Sequence, residues 1–197
     1  ARPSAGVHSD SRRALGLEGE GRVLVQVSAL TQRKGVVELA EKFLALSEAE
    51  RRGARLLFVG DGDRRAALES LAAKSGDAIR VLGQLPPEEV RRVLWAADAF
   101  VLNTRLDPNP LSAIEAAAAG LPIVMSAAAG NIREVVEAPN AGFVIRDPAE
   151  PSEALRSVLS ASDTELAAMG VRAAQIARTQ FDAVAVARSL VKQLYPS

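Results

Sequence analysis

The chain of 197 residues contains no cysteine. That excludes thiol catalysis, a disulfide framework and cysteine–zinc sites, and it fits a reducing cytoplasm. Histidine occurs once, as His8, in a polar N-terminal stretch. A serine–histidine–aspartate triad or a histidine metal site would have to be built on that stretch, so neither is expected. No metal or other cofactor is expected either. No sign of charge dominates: 24 Lys and Arg offset 24 Asp and Glu, without a basic run. Nothing therefore favours nucleic acid or an anionic membrane as a partner. No apolar segment approaches the roughly 20 residues that span a bilayer, and no signal-peptide pattern is present. The expected location is cytoplasmic.

What is present is ordinary for a globular domain: 48% of residues are apolar and 24% charged. The length suits one sizeable domain with its own core. Residues 1–20 carry Pro3, Gly6, Gly16 and Gly19 among charged residues and read as an entering linker, with one helical turn near 11–15. From residue 21 to 197, short apolar runs alternate with helical patterns. Strands are expected at 22–27, 54–59, 79–82, 99–102, 121–125 and 142–145. Helices are expected at 35–49, 64–74 (capped by Asp63), 86–97, 110–119 and 130–137, then at 151–160, 163–179 and 182–194. That alternation predicts an α/β fold, a doubly wound, Rossmann-like parallel sheet of about six strands flanked by helices. In such sheets ligands bind outside the carboxyl ends of the strands.

The chain is organised around residues 98–126, DAFVLNTRLDPNPLSAIEAAAAGLPIVMS. Asn109 followed by Pro110 reads as a helix start, an N-cap and then proline at the first helical position. The helix stops at Gly120. Its first turn presents free N–H groups, from Leu111 and Ser112 among others, at the positive end of the helix dipole, where phosphate binds. Glu115 is the only charge on a helix that is otherwise apolar or small, a pattern normally buried. A buried carboxylate needs a partner or a ligand. Glu115 stands six residues past the N-cap, roughly 9 Å along the axis. A nucleotide with its diphosphate on the first turn would put its ribose hydroxyls near Glu115, and Asp107 would reach the far side of the diphosphate. The plainer alternatives are a loop cap for Asp107 and a buried arginine partner for Glu115. Lys34 at a helix N-terminus opposes the dipole unless an anion is shared there, so it is either a phosphate ligand or a solvated lysine. The glycines of G-D-G-D at 60–63 suggest a tight turn with close backbone approach. Gly130 starts another helix whose N–H groups could meet an anion, with Glu134 four residues on. All these candidates follow strand ends.

Their order resembles the C-terminal, nucleotide-sugar-binding domain of retaining glycosyltransferases with two Rossmann-like domains, the GT-B fold, and in particular glycosyltransferase family 4. The resemblance covers roughly residues 21–195. It is strongest in D-P-N-P-L-S-A-I-E-A-A-A-A-G-L-P-I-V, which looks like the family's acid, seven residues, second acid. It implies that Asp107 contacts the donor sugar and Glu115 the ribose hydroxyls. It also implies that Lys34, followed by Gly35, meets the diphosphate and that the backbone at Gly83, in L-G-Q, lies near the base. V-G-D-G at 59–62 and G-N-I-R-E-V at 130–135 match as well. Two positions depart. Asp107 stands where glutamate is usual, and Ala29 stands where an arginine often helps to bind diphosphate, with Arg33 the nearby cation to compensate.

The resemblance implies the donor-binding half of an enzyme that moves a sugar from a nucleoside diphosphate sugar to an acceptor with retention and without metal. The acceptor, and commonly a catalytic histidine, belong to an N-terminal domain that residues 1–20 cannot form. That domain is the expected partner and the expected route to any peripheral membrane contact, and this chain alone should bind donor but transfer little. Two other readings stay open: a non-catalytic nucleotide-binding module, and half of a GT-B sugar-nucleotide epimerase.

Overall fold

The run V-L-V-Q-V forms strand β1 (Val23–Val27), buried along nearly its whole length, as a β-branched run without polar alternation should be at the centre of a parallel sheet. The computed structural model describes residues 3–19 and 21–181. Five more strands follow: β2 (Arg55–Val59), β3 (Ile79–Gly83), β4 (Ala99–Leu102), β5 (Ile123–Ser126) and β6 (Gly142–Ile145). All pair in parallel, in the order β3-β2-β1-β4-β5-β6. The expected doubly wound sheet of six strands is what forms. The strand order reverses between β1 and β4, so the crevice for a ligand opens above the ends of those two strands.

The helices are α1 (Ala5–Ala14), α2 (Val36–Ala45), α3 (Glu48–Arg51), α4 (Arg65–Ala73), α5 (Pro87–Ala96), α6 (Leu111–Ala118), α7 (Ser152–Ser160) and α8 (Asp163–Gln180). Strand residues alternate between two cores. Val23, Val25, Phe100 and Met125 pack with α5 and α6 on one face. Leu24, Phe58, Val101 and Val124 pack with α2, α4 and α7 on the other. Helix α8 serves both, through Leu166 at its start and Ala173 and Ala177 further on. It crosses closely at Gly170, where a β-carbon would stand 2.1 Å from the Gly120 carbonyl oxygen.

Several local expectations are corrected. The N-terminal segment holds a ten-residue helix, not a single turn near 11–15. Its attachments are polar, which is why no apolar stripe announced it. His8 Nδ1 lies 2.7 Å from the Trp95 carbonyl, Arg12 donates to the Ala96 carbonyl at 3.1 Å, and Arg12 pairs with Asp98. The helix expected at 35–49 breaks at Leu46, and Ser47 and Glu50 start α3 with a capping box. Asp63 caps nothing: α4 begins after Arg64, without a side-chain cap. Pro110, not Asn109, is the N-cap of α6, and the Asn109 side-chain oxygen accepts from Asn131 Nδ2 at 3.1 Å. The helix expected near 130–137 is a π-helical turn, Arg133–Glu137. The helix expected at 182–194 lies outside the described residues.

Candidate functional site

The site is assembled from the loops that leave β1, β2, β3 and β4. After β1 the chain reaches a 3₁₀ turn (Gln32–Lys34) and then Gly35, at φ +56°. Only glycine suits that place, because a β-carbon would also stand 2.1 Å from the Asn103 carbonyl oxygen. Two buried carboxamides hold this turn from below. Gln26 Nε2 donates to the Lys34 carbonyl and Asn103 Nδ2 to the Gly35 carbonyl, each at 3.0 Å. The loop after β2 lies hard against the β1 loop. A β-carbon at Gly60 would come within 1.9 Å of the Ser28 carbonyl oxygen, which is the close backbone approach that G-D-G-D predicts. The loop after β4 is tied on both sides. The Arg105 N–H donates to the Arg33 carbonyl and the Gly130 N–H to the Asp107 carbonyl, each at 2.8 Å.

Between these loops lies a cleft of about 460 Å³, lined by Lys34, Gly60, Asp61, Gln84, Asp107, Leu111 and Ser112 among others. Its volume is in the range of small-molecule sites. Across Val27, Leu85 and Val90 it meets a second, more apolar cleft of about 600 Å³, whose wall includes Trp95 and Glu115. Lys34 and Asp107 face one another as a salt bridge, with side chains only 11% and 12% exposed. The other Asp107 oxygen accepts the Asn109 N–H at 3.3 Å. The N–H groups of Leu111 and Ser112 have no hydrogen-bond partner among the described residues. A buried cation and two unspent backbone donors therefore line the same small space, an arrangement suited to an anion with several oxygens.

The structure thus brings Lys34, Asp107, Leu111 and Ser112 into one cleft and places Glu115 in its neighbour. Gly83, at φ +71°, sits just before Gln84, and its carbonyl accepts the Gly60 N–H at 2.8 Å. The remaining candidates stand apart. Arg33 is exposed and donates to the Leu106 carbonyl at 3.1 Å, away from the cleft lining. The Gly130 N–H is already engaged by Asp107, and Glu134 is exposed and lines neither cleft. Glu115 corrects an expectation: it is exposed, not buried, and no hydrogen bond or ion pair engages its side chain among the described residues. The small residues around it face the sheet on one side only, leaving Leu111, Glu115 and Ala118 as an exposed stripe at helical spacing. The apolar wall of Val27, Leu85 and Val90 was missed, and so were Gln26 and Asn103. The available signal for Gln26 was a lone carboxamide inside an apolar strand. Among the described residues no group of three or more His, Asp or Glu side chains could hold a metal ion.

Residues 7–176 match the family described as "Glycosyl transferases group 1". The chain is 30% identical over 159 residues to the lipopolysaccharide glucosyltransferase WaaG of Escherichia coli strain K12, covering 79% of this chain and 42% of that protein. A crystal structure of WaaG, a glycosyltransferase involved in lipopolysaccharide biosynthesis, shares the fold with a TM-score of 0.78 and 24% identity, over 99% of this chain and 52% of that one. The Anabaena protein HepE, solved in complex with UDP and glucose, shares it with a TM-score of 0.81 and 21% identity, over 99% and 53%. The chain spans less than half the length of the curated relatives it matches. The match runs from α1 into α8 and includes every strand of the sheet and every residue of the cleft: the chain belongs to the glycosyl transferases group 1 family.

Proposed function

We propose that this chain is the donor-binding half of a retaining glycosyltransferase of the family 4 type, taking a nucleoside diphosphate sugar. One observation carries the reading. A buried lysine and two unpartnered N–H groups at a helix start share a cleft at the reversal of strand order, and a carboxylate stands farther along that same helix. The diphosphate sits between Lys34 and the start of α6. The nucleoside runs along Val27, Leu85 and Val90, with its ribose at Glu115. The sugar lies toward Asp107. When the bond from the sugar to the diphosphate breaks, negative charge grows on the leaving phosphate oxygens. Lys34 and the α6 N–H groups are already aimed at that charge, which lowers the barrier without a metal ion. Binding also splits the Lys34–Asp107 pair. Lys34 exchanges a carboxylate for a phosphate, and Asp107 is released toward the sugar hydroxyls. The acceptor and the rest of the catalytic apparatus come from an N-terminal domain, so this chain alone binds donor and transfers little.

The non-catalytic module is the second reading. It is favoured by Ala29 at the usual arginine position and by an Asp107 already engaged by Lys34. Activity of the full-length protein separates the two.

The test is thermal unfolding of the chain with excess UDP, GDP, ADP or TDP. A ligand at 100 times its dissociation constant adds about 2.7 kcal/mol, which is a rise of roughly 5–10 °C for a domain of this size. The expected result is such a rise with one nucleotide, reduced in Glu115→Gln. No rise with any of the four would overturn the donor-site reading for this chain.

A further inference from the structure

Gln26 is fully buried on a sheet face whose neighbouring core positions, Leu24, Phe58 and Val101, are apolar. A carboxamide there needs partners. Among the described residues it has two, Ser28 Oγ at 3.1 Å and the Lys34 carbonyl at 3.0 Å, both accepting from Nε2, while Oε1 has none. Among the described residues the Lys34 carbonyl receives no backbone donor. The next carbonyl, Gly35, accepts the Leu39 N–H at 3.0 Å and also Asn103 Nδ2, from just past β4. Asn103 is fully buried too, donates to the Pro148 carbonyl at 2.9 Å as well, and leaves its own oxygen unpartnered among the described residues. Strand β1 and the residue just past β4 thus each lend one carboxamide to one of two consecutive carbonyls at the reversal point. Neither side chain reaches the cleft lining. An apolar residue at position 26 would remove an orphaned carboxamide oxygen but leave the Lys34 carbonyl without its donor, so the carboxamide acts on the backbone of the turn.

We propose that Gln26 and Asn103 are positioning residues that clamp the Lys34–Gly35 turn, so that the Lys34 ammonium is presented to the diphosphate of the donor. This deepens the donor-site reading and rests on it. The clamp fixes the backbone from which the lysine side chain springs. It therefore limits the freedom Lys34 would otherwise lose on binding, and preorganisation of this kind strengthens binding without adding a contact.

The test is a double-mutant cycle on the full chain, read as affinity by calorimetry for whichever of UDP, GDP, ADP and TDP stabilises it. Gln26→Met is expected to weaken binding about tenfold in the wild-type background and to change it little in a Lys34→Met background, because the clamp acts only through that lysine. Gln26→Glu keeps the shape without a proton for the Lys34 carbonyl when ionised. It is expected to behave like Gln26→Met and serves if that variant does not fold. Equal losses in both backgrounds, or no loss in either, overturn the clamp and leave the donor site standing. A wild-type chain that binds none of the four nucleotides overturns both.

Discussion

An aspartate directly precedes β4 and another stands in the loop that follows it; the first pairs with a cation on α1, before β1, and the second with a cation in the loop after β1. At the amino end Asp98 pairs with Arg12, with both side chains 15% exposed. At the carboxyl end Asp107 pairs with Lys34 at nearly the same exposure. Burial and charge are alike, yet the surroundings differ. Asp98 also accepts the Val23 N–H at 2.7 Å, its own N–H donates to the Val23 carbonyl at 2.8 Å, and Arg12 reaches the Ala96 carbonyl as well. Little is left over for another molecule. Around Asp107 the Leu111 and Ser112 N–H groups remain unspent among the described residues, and the pair faces an open cleft. On the donor-site reading proposed above, burial does not separate a structural ion pair from a ligand-binding one. What separates them is whether the neighbouring donors are already used.

The comparison breaks most visibly at its amino end. Asp98→Ala leaves Arg12 and the Val23 N–H without their acceptor, and removing one partner of a buried pair costs about 3–5 kcal/mol. Thermal unfolding should show a fall of roughly 10 °C or more, while the rise given by a bound nucleoside diphosphate stays the same. At the carboxyl end the order reverses. Lys34→Met should weaken nucleoside diphosphate binding about 10- to 100-fold by calorimetry. It should cost less stability than Asp98→Ala, since Asp107 keeps the Asn109 N–H and borders an open cleft. Equal destabilisation by the two variants would remove the distinction drawn between them.

Glu115 sharpens the contrast further. As an exposed carboxylate without a partner among the described residues, it can change without loss of fold. Glu115→Gln should shift stability by no more than about 0.5 kcal/mol and lower nucleotide affinity about tenfold. The smallest effect belongs to the exposed ion pairs remote from the cleft. The hydrogen bond from Arg80 above all holds Asp77 down to about 2; desolvation opposes it, and the hydrogen bond from Arg55 adds to it. A carboxylate titrates near 3.9 when unfolded, so its contribution is complete above about pH 4 and lost as pH falls toward 2. Asp77→Asn should flatten the acid end of a stability-against-pH curve in that window. At neutral pH its Tm should change by only about 1–3 °C, because this carboxylate is half exposed and screened.

The sheet was legible because burial on both faces writes itself as unbroken apolar runs, and every expected strand forms within two residues of its expected limits. Lys34, Asp107, Leu111 and Ser112 were legible as a group because each follows a strand end, and the strand ends of a parallel sheet share one edge. Helix α1 was not legible, because it docks through Arg12 and His8, and polar anchoring leaves no periodic apolar signature. Glu115 was placed on the right helix with the wrong exposure. Composition alone does not say which side of an alanine-rich helix meets the sheet. Asp63 and Asn109 looked like caps, yet side-chain capping is decided by local backbone geometry, which the residue types do not fix. Gln26 and Asn103 were read as part of a strand and part of a loop. Their partners are backbone carbonyls, which every residue carries and no sequence marks.

The strand order also has a consequence for how the chain is made. β1, β2 and β3 lie within Val23–Gly83 and can pair as soon as that stretch exists. The other edge of β1 is completed only by β4. Until Ala99–Leu102 has been synthesised, the central strand of the finished sheet is an edge strand, with bare N–H and carbonyl groups open to any other chain. The two aspartates that flank β4 arrive with it, so the seam closes at both ends when one short strand docks. Shelter for that edge on the ribosome, or uninterrupted synthesis until β4 has emerged, would favour pairing with β4 over capture by another chain.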